Sequence, residues 1–365
     1  MNAPLNALLE FAAVRACRRL EPAGDLPSAP RIFVLRNNDL GDVLVITPLF
    51  EALRRLFPAA HLAVGVGRWA FPLLEGNPHV DEVLEVPAPW FNKYTTGGAL
   101  RGLRFIAGPQ PRRLRDLRFD LGIDVLGSTL GSLLLLKAGI PYRLGRTGFA
   151  GGDRSASRTI AHSITESVGR NALRFAEVLG GRDIPSLRPQ LFLTASEFEY
   201  GRSFWSESGK TAGKRWLISP GAGRADKSWP EERFLALTRE LAGAQSADVA
   251  VVTGPMETAL AGRLQQSEPR ARMAPTGCSI RELAGIVAAA DRVVCNSSLV
   301  LHLAAAFERP TVVVLGPSFA SAREHQAVWG HPLSISLGAE RGERSGVASV
   351  AKVVESFHEL KSISA

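Results

Sequence analysis

The sequence predicts an α/β protein built from two doubly wound parallel-sheet domains that face each other across a cleft. Short apolar runs of strand length alternate with segments of helical periodicity, which is the pattern of repeated strand–helix units. The alternation begins at Arg31, pauses at a connector rich in Gly, Pro and Arg (180–189), and restarts at Trp216. A length of 365 residues also exceeds one typical core. Because open parallel sheets bind ligands at the carboxyl ends of their strands, we expect each half to bring a loop to the cleft.

The first half is predicted to form five strands, and the second half four. The predicted strands are 31–35, 61–66, 83–86, 121–125, 142–145, 216–219, 249–253, 292–295 and 311–315, and the predicted helices are 43–57, 128–138, 168–179, 231–241, 257–265, 279–289, 299–307 and 347–360. The region 90–118 fits this pattern poorly, since it combines many basic residues with Trp90, Phe91 and Tyr94. It is either an insertion that grips a phosphorylated ligand or a solvated charged face.

These patterns divide the chain into four segments. Residues 1–30 are an N-terminal leader, 31–185 the first domain, 186–345 the second domain, and 346–365 a C-terminal helix that could cross back to the first domain. In the leader, apolar residues precede the arginines, the reverse of the order in a secretory signal peptide. The leader is therefore an amphipathic helix at an anionic membrane, a helix packed on the fold, or a frayed segment.

Composition favours an anionic partner in a reducing compartment. The net charge of +8 and pI near 9.8 suit nucleotide phosphates, a phosphorylated glycolipid, an acidic membrane face or nucleic acid. No zinc-finger or RNA-binding signature supports nucleic acid, so we expect none. Cys17, Cys278 and Cys295 are too scattered for a disulfide framework or a metal site and indicate reduced thiols of a cytosolic protein. No apolar run is long enough to cross a bilayer.

The segment from Ser219 to Pro230 is the strongest candidate for a ligand site. Gly221, Ala222 and Gly223 follow a predicted strand, and small residues let the backbone approach a ligand closely. Arg224 and Lys227 then lead into a predicted helix, whose amino end favours an anion. We expect a phosphate or diphosphate here, with Arg224 making a bidentate contact to it and Lys227 neutralising its charge. The alternative is an ordinary strand-to-helix turn with a solvated lysine.

The loop after the first strand carries a candidate general base. Asp42 is predicted to lie at the start of a helix, whose amino end favours an ionised carboxylate. It could accept a proton from a hydroxyl nucleophile, or it could simply cap helix amides. Asp39 is a weaker candidate in the same loop.

Further candidates follow later strands of the second half. Glu257 could bind a ribose diol or be a first-turn helix acid. Ser279 and Glu282 form a predicted capping box, which places the backbone at Gly277 and Cys278 where it could read an adenine edge. Ser297 and Ser298 could donate to a phosphate or cap a helix, and His302 is either a ligand contact or a core-edge histidine.

With these residues in view, the chain resembles the glycosyltransferase family 9 heptosyltransferases, which build the inner core of lipopolysaccharide. The resemblance rests on Leu-Gly-Asp-Val-Leu (40–44), on Pro-Gly-Ala with Lys-Ser-Trp-Pro (220–230), and on His-Leu-Ala-Ala-Ala followed by Arg-Pro-Thr-Val-Val-Val-Leu-Gly-Pro (302–317). It implies the GT-B fold of two Rossmann-like domains, an acceptor domain at 31–185 and a nucleotide-sugar donor domain at 186–345.

The resemblance also implies a reaction. The donor is a nucleoside-diphosphate sugar, usually ADP-heptose, the acceptor a lipopolysaccharide core or related anionic glycolipid, and transfer proceeds with inversion and without a metal or other cofactor. Asp42 matches the catalytic base, Lys227 the lysine on the donor diphosphate, Glu257 the ribose contact, and Gly277 with Cys278 the adenine pocket. A cytoplasmic enzyme, peripheral on the inner membrane, is expected.

Two motifs depart from the family pattern, and in the first of them Ala222 and Gly223 stand where the family has a pair of hydroxyl residues before the lysine. The family usually has Asn-Asp-Thr-Gly where this chain has Asn-Ser-Ser-Leu (296–299), so that Ser297 replaces the acid at the donor sugar and Leu299 replaces a glycine near the diphosphate. The alternative hypothesis is therefore a non-catalytic nucleotide-sugar or glycan-binding protein with a degenerate donor site. A third hypothesis, a sugar-nucleotide epimerase, would need a reaction independent of acceptor.

Overall fold

The computed structural model describes residues 25–95, 97–148, 151–153, 155–206, 213–244, 247–254, 257–275, 277–340 and 347–363. Most of the predicted leader (1–30), including Cys17, lies outside these residues, so the three interpretations of the leader stay open. The chain forms two compact units that divide between Gln190 and Leu191. They are called the first and second domains below.

The first domain contains a six-stranded sheet in the order β3-β2-β1-β4-β5-β6, and every adjacent pair is parallel. Its strands are β1 (Arg31–Leu35), β2 (His61–Val66), β3 (Glu82–Glu85), β4 (Leu121–Asp124), β5 (Tyr142–Thr147) and β6 (Arg158–Ala161). Its helices are α1 (Leu40–Leu44), α2 (Thr47–Leu56), α3 (Phe71–Leu74), α4 (Ala99–Ala107), α5 (Gln110–Asp116), α6 (Thr129–Lys137) and α7 (Val168–Val178), with a 3₁₀ turn at Arg68–Ala70.

The second domain repeats this architecture, with a parallel six-stranded sheet in the order β12-β11-β10-β7-β8-β9. Its strands are β7 (Lys214–Ser219), β8 (Ala247–Val251), β9 (Arg272–Met273), β10 (Arg292–Cys295), β11 (Thr311–Val314) and β12 (Ser334–Leu337). Its helices are α8 (Ala195–Ser206), α9 (Glu231–Gly243), α10 (Thr258–Ser267), α11 (Ile280–Ala289), α12 (Leu299–Ala306), α13 (Ala322–Trp329) and α14 (Val350–Ile363), with a 3₁₀ turn at Ala225–Lys227. The predicted α/β class, with two doubly wound parallel sheets, is confirmed.

The central strands form because they are apolar on both faces, as expected for a sheet covered by helices on each side. Every residue of β1 after Arg31 is buried, and β8 is buried throughout. In each sheet the strands point the same way, so the loops that follow them emerge at one edge. That edge holds the candidate site residues of each domain.

Some elements differ from the prediction. The predicted helix at 43–57 is two helices, because Pro48 lies in the first turn of α2, where a proline starts a helix. The basic region 90–118 contains α4 and α5. The strands β6, β9 and β12 and the helices α3, α8 and α13 are additional, and β6 and β9 are too short or too polar to give a clear apolar run.

The C-terminal helix α14 packs on the second sheet. Val353, Phe357 and Leu360 are buried in the core of that domain, and the Phe357 ring meets the Trp216 ring edge-on at 4.7 Å between centroids. The crossing to the first domain stays a prediction. Within the described residues, every helix is too short or too polar to span a bilayer.

Candidate active site

The loop that follows β7 is held at both ends by one side chain, Asn296, which follows β10. Asn296 is fully buried. Its Nδ2 donates to the carbonyl oxygen of Pro220 at 2.6 Å, and its Oδ1 accepts from the backbone amide of Trp229 at 2.9 Å. Residues 220–229, called the phosphate loop below, therefore have a fixed shape. The sequence did not assign this role to Asn296, because its partners are far away along the chain.

Lys227 is positioned by a second loop, which follows β11. The amide of Gly316 donates to the carbonyl oxygen of Lys227 at 3.1 Å, and the amide of Ser318 donates to that of Asp226 at 3.0 Å. A Cβ on Gly316 would lie 2.5 Å from the Lys227 carbonyl carbon, so only glycine fits there. The Lys227 ammonium lies over the Phe319 ring, 5.8 Å from its centroid. The lysine is thus directed over the aromatic side chain of this second loop.

Glu257 lies against the small residues of the phosphate loop. A Cβ on Gly221 would be 3.3 Å from Glu257 Oε2, and one on Gly254 would be 2.7 Å from the same oxygen. Glu257 occupies the residue before α10, but its side chain makes no capping hydrogen bond. The structure therefore brings together Gly221 and Glu257, with Ala222 and Gly223 next in the loop.

Arg224 is paired within the loop rather than extended into solvent alone. Its Nε donates to Asp226 Oδ1 at 3.0 Å, and its Nη2 donates to Oδ2 of the same carboxylate. The hydrogen bonds from Arg224 lower the pKa of Asp226, and those to Asp226 raise the pKa of Arg224. Both side chains are exposed, so a bound phosphate would compete with Asp226 for the guanidinium.

Ser297 contacts a histidine that the sequence did not single out. His325 on α13 places Nε2 2.8 Å from Ser297 Oγ and Nδ1 2.8 Å from Ser336 Oγ. Burial, followed by the charges of His302 and Lys227, lowers the pKa of His325 to about 4. His325 is therefore neutral at physiological pH. The His325 ring lies edge-on to Phe319 with 5.3 Å between centroids, and the Lys227 ammonium lies over the same Phe319 ring, so Lys227 and the histidine bound to Ser297 border one aromatic side chain.

Ser298 lies before α12 but makes no capping hydrogen bond. Its buried Oγ has no hydrogen-bond partner within the described residues. His302 is buried edge-on to Trp329 at 5.7 Å between ring centroids, and burial lowers its pKa to about 4. His302 thus fits the interpretation as a core-edge histidine.

Gly277 and Cys278 lie at the start of α11. Gly277 has φ of +84°, a left-handed conformation that favours glycine. The predicted capping box of Ser279 and Glu282 is confirmed and fixes the start of this helix. Burial and the Glu282 charge raise the pKa of the Cys278 thiol, so it is an unreactive, protonated group.

In the first domain, Asp42 lies in the first turn of α1 and pairs with a buried arginine. Arg36 follows β1 and donates through Nη2 to Asp42 Oδ1 at 2.9 Å and through Nε to the Asp42 carbonyl oxygen at 3.2 Å. The Arg36 side chain is 3% exposed and that of Asp42 is 28% exposed. Arg36 thus holds the carboxylate from its buried side, while the other side of the carboxylate reaches the surface. The Asp42 side chain is bound by Arg36 here, in place of the helix cap that the sequence offered as the alternative role.

Arg36 belongs to a row of buried charges at the ends of adjacent strands. Asp124 ends β4 and Arg146 lies in β5. Burial raises the pKa of Asp124 to about 6 despite hydrogen bonds from Ser128. Burial, followed by the Arg36 charge, lowers the pKa of Arg146 to about 10. Arg36 is the member of this row that contacts the Asp42 loop.

The start of the basic region lies beside the same loop. Asn37 Nδ2 donates to the carbonyl oxygens of Ala88 and Trp90, and Asn38 Nδ2 donates to that of Phe91 at 2.8 Å. The Lys93 amide donates to Asp39 Oδ1 at 3.0 Å. Asp39 is therefore a structural acceptor, and an exposed aromatic residue, Phe91, is presented next to the candidate base.

Comparison with known proteins identifies the relatives of this chain. The family model described as glycosyltransferase family 9 (heptosyltransferase) matches residues 110–336. Lipopolysaccharide heptosyltransferase 2 of Escherichia coli K12 is 27% identical over 307 residues, covering 79% of this chain and 83% of the relative. The Salmonella typhimurium protein of the same name is 26% identical over 304 residues with the same coverage.

Two solved structures share the fold. A family 9 glycosyltransferase from Veillonella parvula has a TM-score of 0.75 at 20% identity and covers 93% of this chain and 99% of its own. The structure of E. coli ADP-heptose lps heptosyltransferase II has a TM-score of 0.69 at 19% identity and covers 90% of this chain and 98% of its own. The GT-B fold expected from the sequence is confirmed.

Proposed function

Because the chain belongs to glycosyltransferase family 9 and is an enzyme that transfers sugar, we propose that it moves a heptose from ADP-heptose to a lipopolysaccharide-core acceptor. The observation that carries this proposal is the second-domain site, in which a shaped phosphate loop, Lys227, Glu257 and Ser297 lie at the carboxyl edge of one parallel sheet. The heptosyltransferase relatives support the choice of sugar, and the similar fold of an E. coli heptosyltransferase with ADP supports the choice of nucleotide.

The second domain binds the donor in this proposal. The backbone of residues 221–223 approaches the diphosphate, and Lys227 neutralises it together with the amino end of α9. Arg224 exchanges its contact with Asp226 for a phosphate oxygen. Glu257 accepts hydrogen bonds from the ribose, and the backbone around Gly277 and Cys278 borders the base. Ser298, whose buried Oγ has no partner within the described residues, is free to donate to the diphosphate, whereas His302 packs in the core behind it.

Asp42 is the general base of an inverting displacement in this proposal. The acceptor hydroxyl oxygen attacks the anomeric carbon on the face opposite the diphosphate, and its proton passes to the Asp42 carboxylate. The bond between the anomeric carbon and the diphosphate oxygen breaks, and ADP leaves with the bonding electrons. Lys227 stabilises the charge that develops on that oxygen, so the reaction needs no metal ion.

The basic side chains near the Asp42 loop suit an anionic acceptor. Lys93, whose amide donates to Asp39, provides positive charge beside the loop that carries the base, and the arginines of α4 and α5 add positive charge to the same domain. We propose that the enzyme acts on the cytoplasmic face of the inner membrane, where a lipid-linked acceptor and a nucleotide donor can meet.

The test of the base is Asp42→Asn, which keeps an oxygen for Arg36 but cannot take the proton. We expect the rate of ADP release in the presence of acceptor to fall about a hundredfold or more, while calorimetric affinity for ADP is unchanged. Asp39→Asn in the same loop is the matched control, and its rate should stay near that of the wild type. Wild-type turnover by Asp42→Asn would reject the assignment.

The test of Lys227 is its replacement by alanine. Loss of one such contact to the leaving group is worth ~3 kcal/mol, or about a hundredfold in rate. ADP affinity should fall as well, and unchanged affinity would contradict the role.

A second function is a non-catalytic nucleotide-sugar or glycan-binding protein, favoured by Ser297 and Leu299 in place of the family's acid and glycine. The same assay distinguishes the two. ADP release that requires acceptor supports the transferase, whereas donor binding without any release supports the binding protein.

A further inference from the structure

Ser297 is the end of a continuous chain of hydrogen bonds that starts on β12 and crosses α13. Gln326 Nε2 donates to the Ser334 carbonyl oxygen at 2.9 Å, and Ser336 Oγ donates to Gln326 Oε1 at 2.9 Å. His325 then joins Ser336 Oγ through Nδ1 and Ser297 Oγ through Nε2, each at 2.8 Å. This chain is not predictable from the sequence, because one end lies on β12 and the other follows β10.

The direction of every bond in this chain follows from its first member. A carbonyl oxygen only accepts, so the Gln326 amide must turn its nitrogen towards Ser334 and its oxygen towards Ser336. Ser336 gives its single hydroxyl proton to that oxygen, and it can only accept from His325. The proton of the neutral His325 ring is therefore on Nδ1, and Nε2 carries a lone pair. Ser297 must donate its own proton to Nε2.

Ser297 is thereby left as a pure hydrogen-bond acceptor. With its only proton committed to His325, its oxygen presents lone pairs alone, as a carboxylate would, but without charge. The ring that fixes this state is itself held neutral by burial, with a pKa of about 4.

The position of Ser297 places this acceptor beside the phosphate loop. β10 pairs with β7 so that Cys295 aligns with Ser219, and the next residue, Asn296, holds Pro220. Lys227 Nζ lies 5.8 Å from the centroid of the Phe319 ring, and the His325 ring centroid lies 5.3 Å from the same point, so the lysine and the histidine that binds Ser297 border one ring. A group attached to a diphosphate on Lys227 therefore lies within reach of Ser297.

We propose that the Gln326–Ser336–His325 chain is a positioning device that keeps Ser297, the residue at the family's donor-sugar position, a hydrogen-bond acceptor towards a hydroxyl group of the transferred sugar. This inference rests on the proposed function, since it requires a nucleoside-diphosphate sugar in the second domain. His325, Ser336 and Gln326 act through Ser297 and do not themselves touch the donor.

The first experiment is calorimetric titration of ADP and of ADP-heptose, without acceptor, into the full-length protein. In Ser297→Ala and Ser336→Ala we expect the affinity for ADP-heptose to fall about fivefold relative to that for ADP, which is the effect of one hydrogen bond. The affinity for ADP itself should be unchanged, and this also reports that the domain is folded. Ser297→Thr keeps the hydroxyl and should restore the ratio.

The matched control is Ser356→Ala, another serine in the second domain, whose buried hydroxyl donates to the Lys352 carbonyl oxygen within α14. Its affinity ratio should equal that of the wild type. A wild-type ratio in Ser297→Ala overturns the inference and leaves the proposed function standing. A wild-type protein that binds neither ligand overturns the proposed function itself.

The second experiment reads the proton on His325 directly. Nitrogen-15 NMR of histidine-labelled protein, with the signal assigned by His325→Gln, should show Nδ1 protonated and Nε2 unprotonated near pH 7.5. In Ser336→Ala this preference should weaken, because the acceptor for Nδ1–H is gone. A wild-type ring protonated on Nε2 would make Ser297 a donor to the sugar and would overturn the proposal.

Discussion

Replacement of Asn296 by alanine tests whether the phosphate loop is shaped by one buried side chain. The substitution removes the donor to the Pro220 carbonyl oxygen and the acceptor for the Trp229 amide. Both of these backbone groups belong to buried residues, so neither gains water in exchange. Leaving a buried polar group without a partner costs about 1–3 kcal/mol. Two such groups predict a loss of about 2–6 kcal/mol in the free energy of unfolding.

The loop should also lose its affinity for ADP. Without Asn296 the loop is anchored mainly at Lys227 and Asp226, and part of the binding energy must be used to order it. We expect an affinity at least about tenfold lower than that of the wild type, which corresponds to ~1.4 kcal/mol.

Urea unfolding gives the stability, calorimetry gives the ADP affinity, and hydrogen exchange of the Trp229 amide shows whether the lost bond is the one assigned. The matched control is Asn171→Ala in the first domain. Asn171 is also buried, and its side chain accepts from the Ser163 amide and donates to the Ser163 carbonyl oxygen, both at 2.9 Å. The control should lose similar stability and keep its ADP affinity. Unchanged ADP affinity in Asn296→Ala would refute the argument that this side chain shapes the site.

Two further predictions concern backbone contact and pH. Gly316→Ala should lower ADP affinity about tenfold or more, because its Cβ would meet the backbone of the Lys227 turn at 2.5 Å. In the control Gly262→Ala, in α10, the new Cβ meets nothing within 4 Å, and the variant should gain up to ~1 kcal/mol of stability. Equal ADP affinities in the two variants would contradict the prediction for Gly316. Burial lowers the pKa values of His302, His325 and His331 to about 4 in the folded protein. The stability that their neutral forms contribute is therefore present above pH 6.5 and is lost as the pH falls from 6.5 towards 4. The loss is up to ~3 kcal/mol for one histidine. Urea unfolding at pH 7 and pH 4.5 measures this loss, which should shrink in His331→Gln, and a stability independent of pH over this range would show the prediction to be wrong.

The sequence predicts the elements whose signal is local. The bounds of β1 and β2 match the prediction, because each is an apolar run that ends in a polar or glycine-containing turn. The capping box at Ser279 depends on two residues three apart, and it too was predictable. The small residues and lysine of the phosphate loop are contiguous, so their candidate role was visible without coordinates.

The sequence does not predict the side chains that hold the site, because their partners are distant along the chain. Asn296 meets Trp229, and Ser297 meets His325, only through the pairing order of the second sheet and the packing of α13. Arg36 is closer to Asp42 in sequence, but nothing in the pattern shows that it turns back onto the helix it precedes. Residue type alone identified the candidate catalytic groups and missed the groups that orient them.

Within the motif at 296–299, Ser297 in place of the family's acid and Leu299 in place of its glycine have different physical consequences. Leu299 is the first residue of α12, and among the described residues positive φ outside glycine occurs at Phe91, Arg118 and Glu308. The backbone at Leu299 is therefore one that any residue adopts, so the change from glycine costs no backbone strain and acts only through the volume of its side chain.

A serine at 297 in place of the family's acid removes a negative charge. It keeps a hydrogen-bond acceptor at that position, because the Ser297 proton is donated to His325. A degenerate site would be expected to lose such support, since nothing would then maintain a buried histidine with both ring nitrogens hydrogen-bonded. In the Gln326–Ser336–His325 chain, the donor and the acceptor of each hydrogen bond are determined. This specificity favours a donor site that works with a neutral acceptor over one that has lost its ligand.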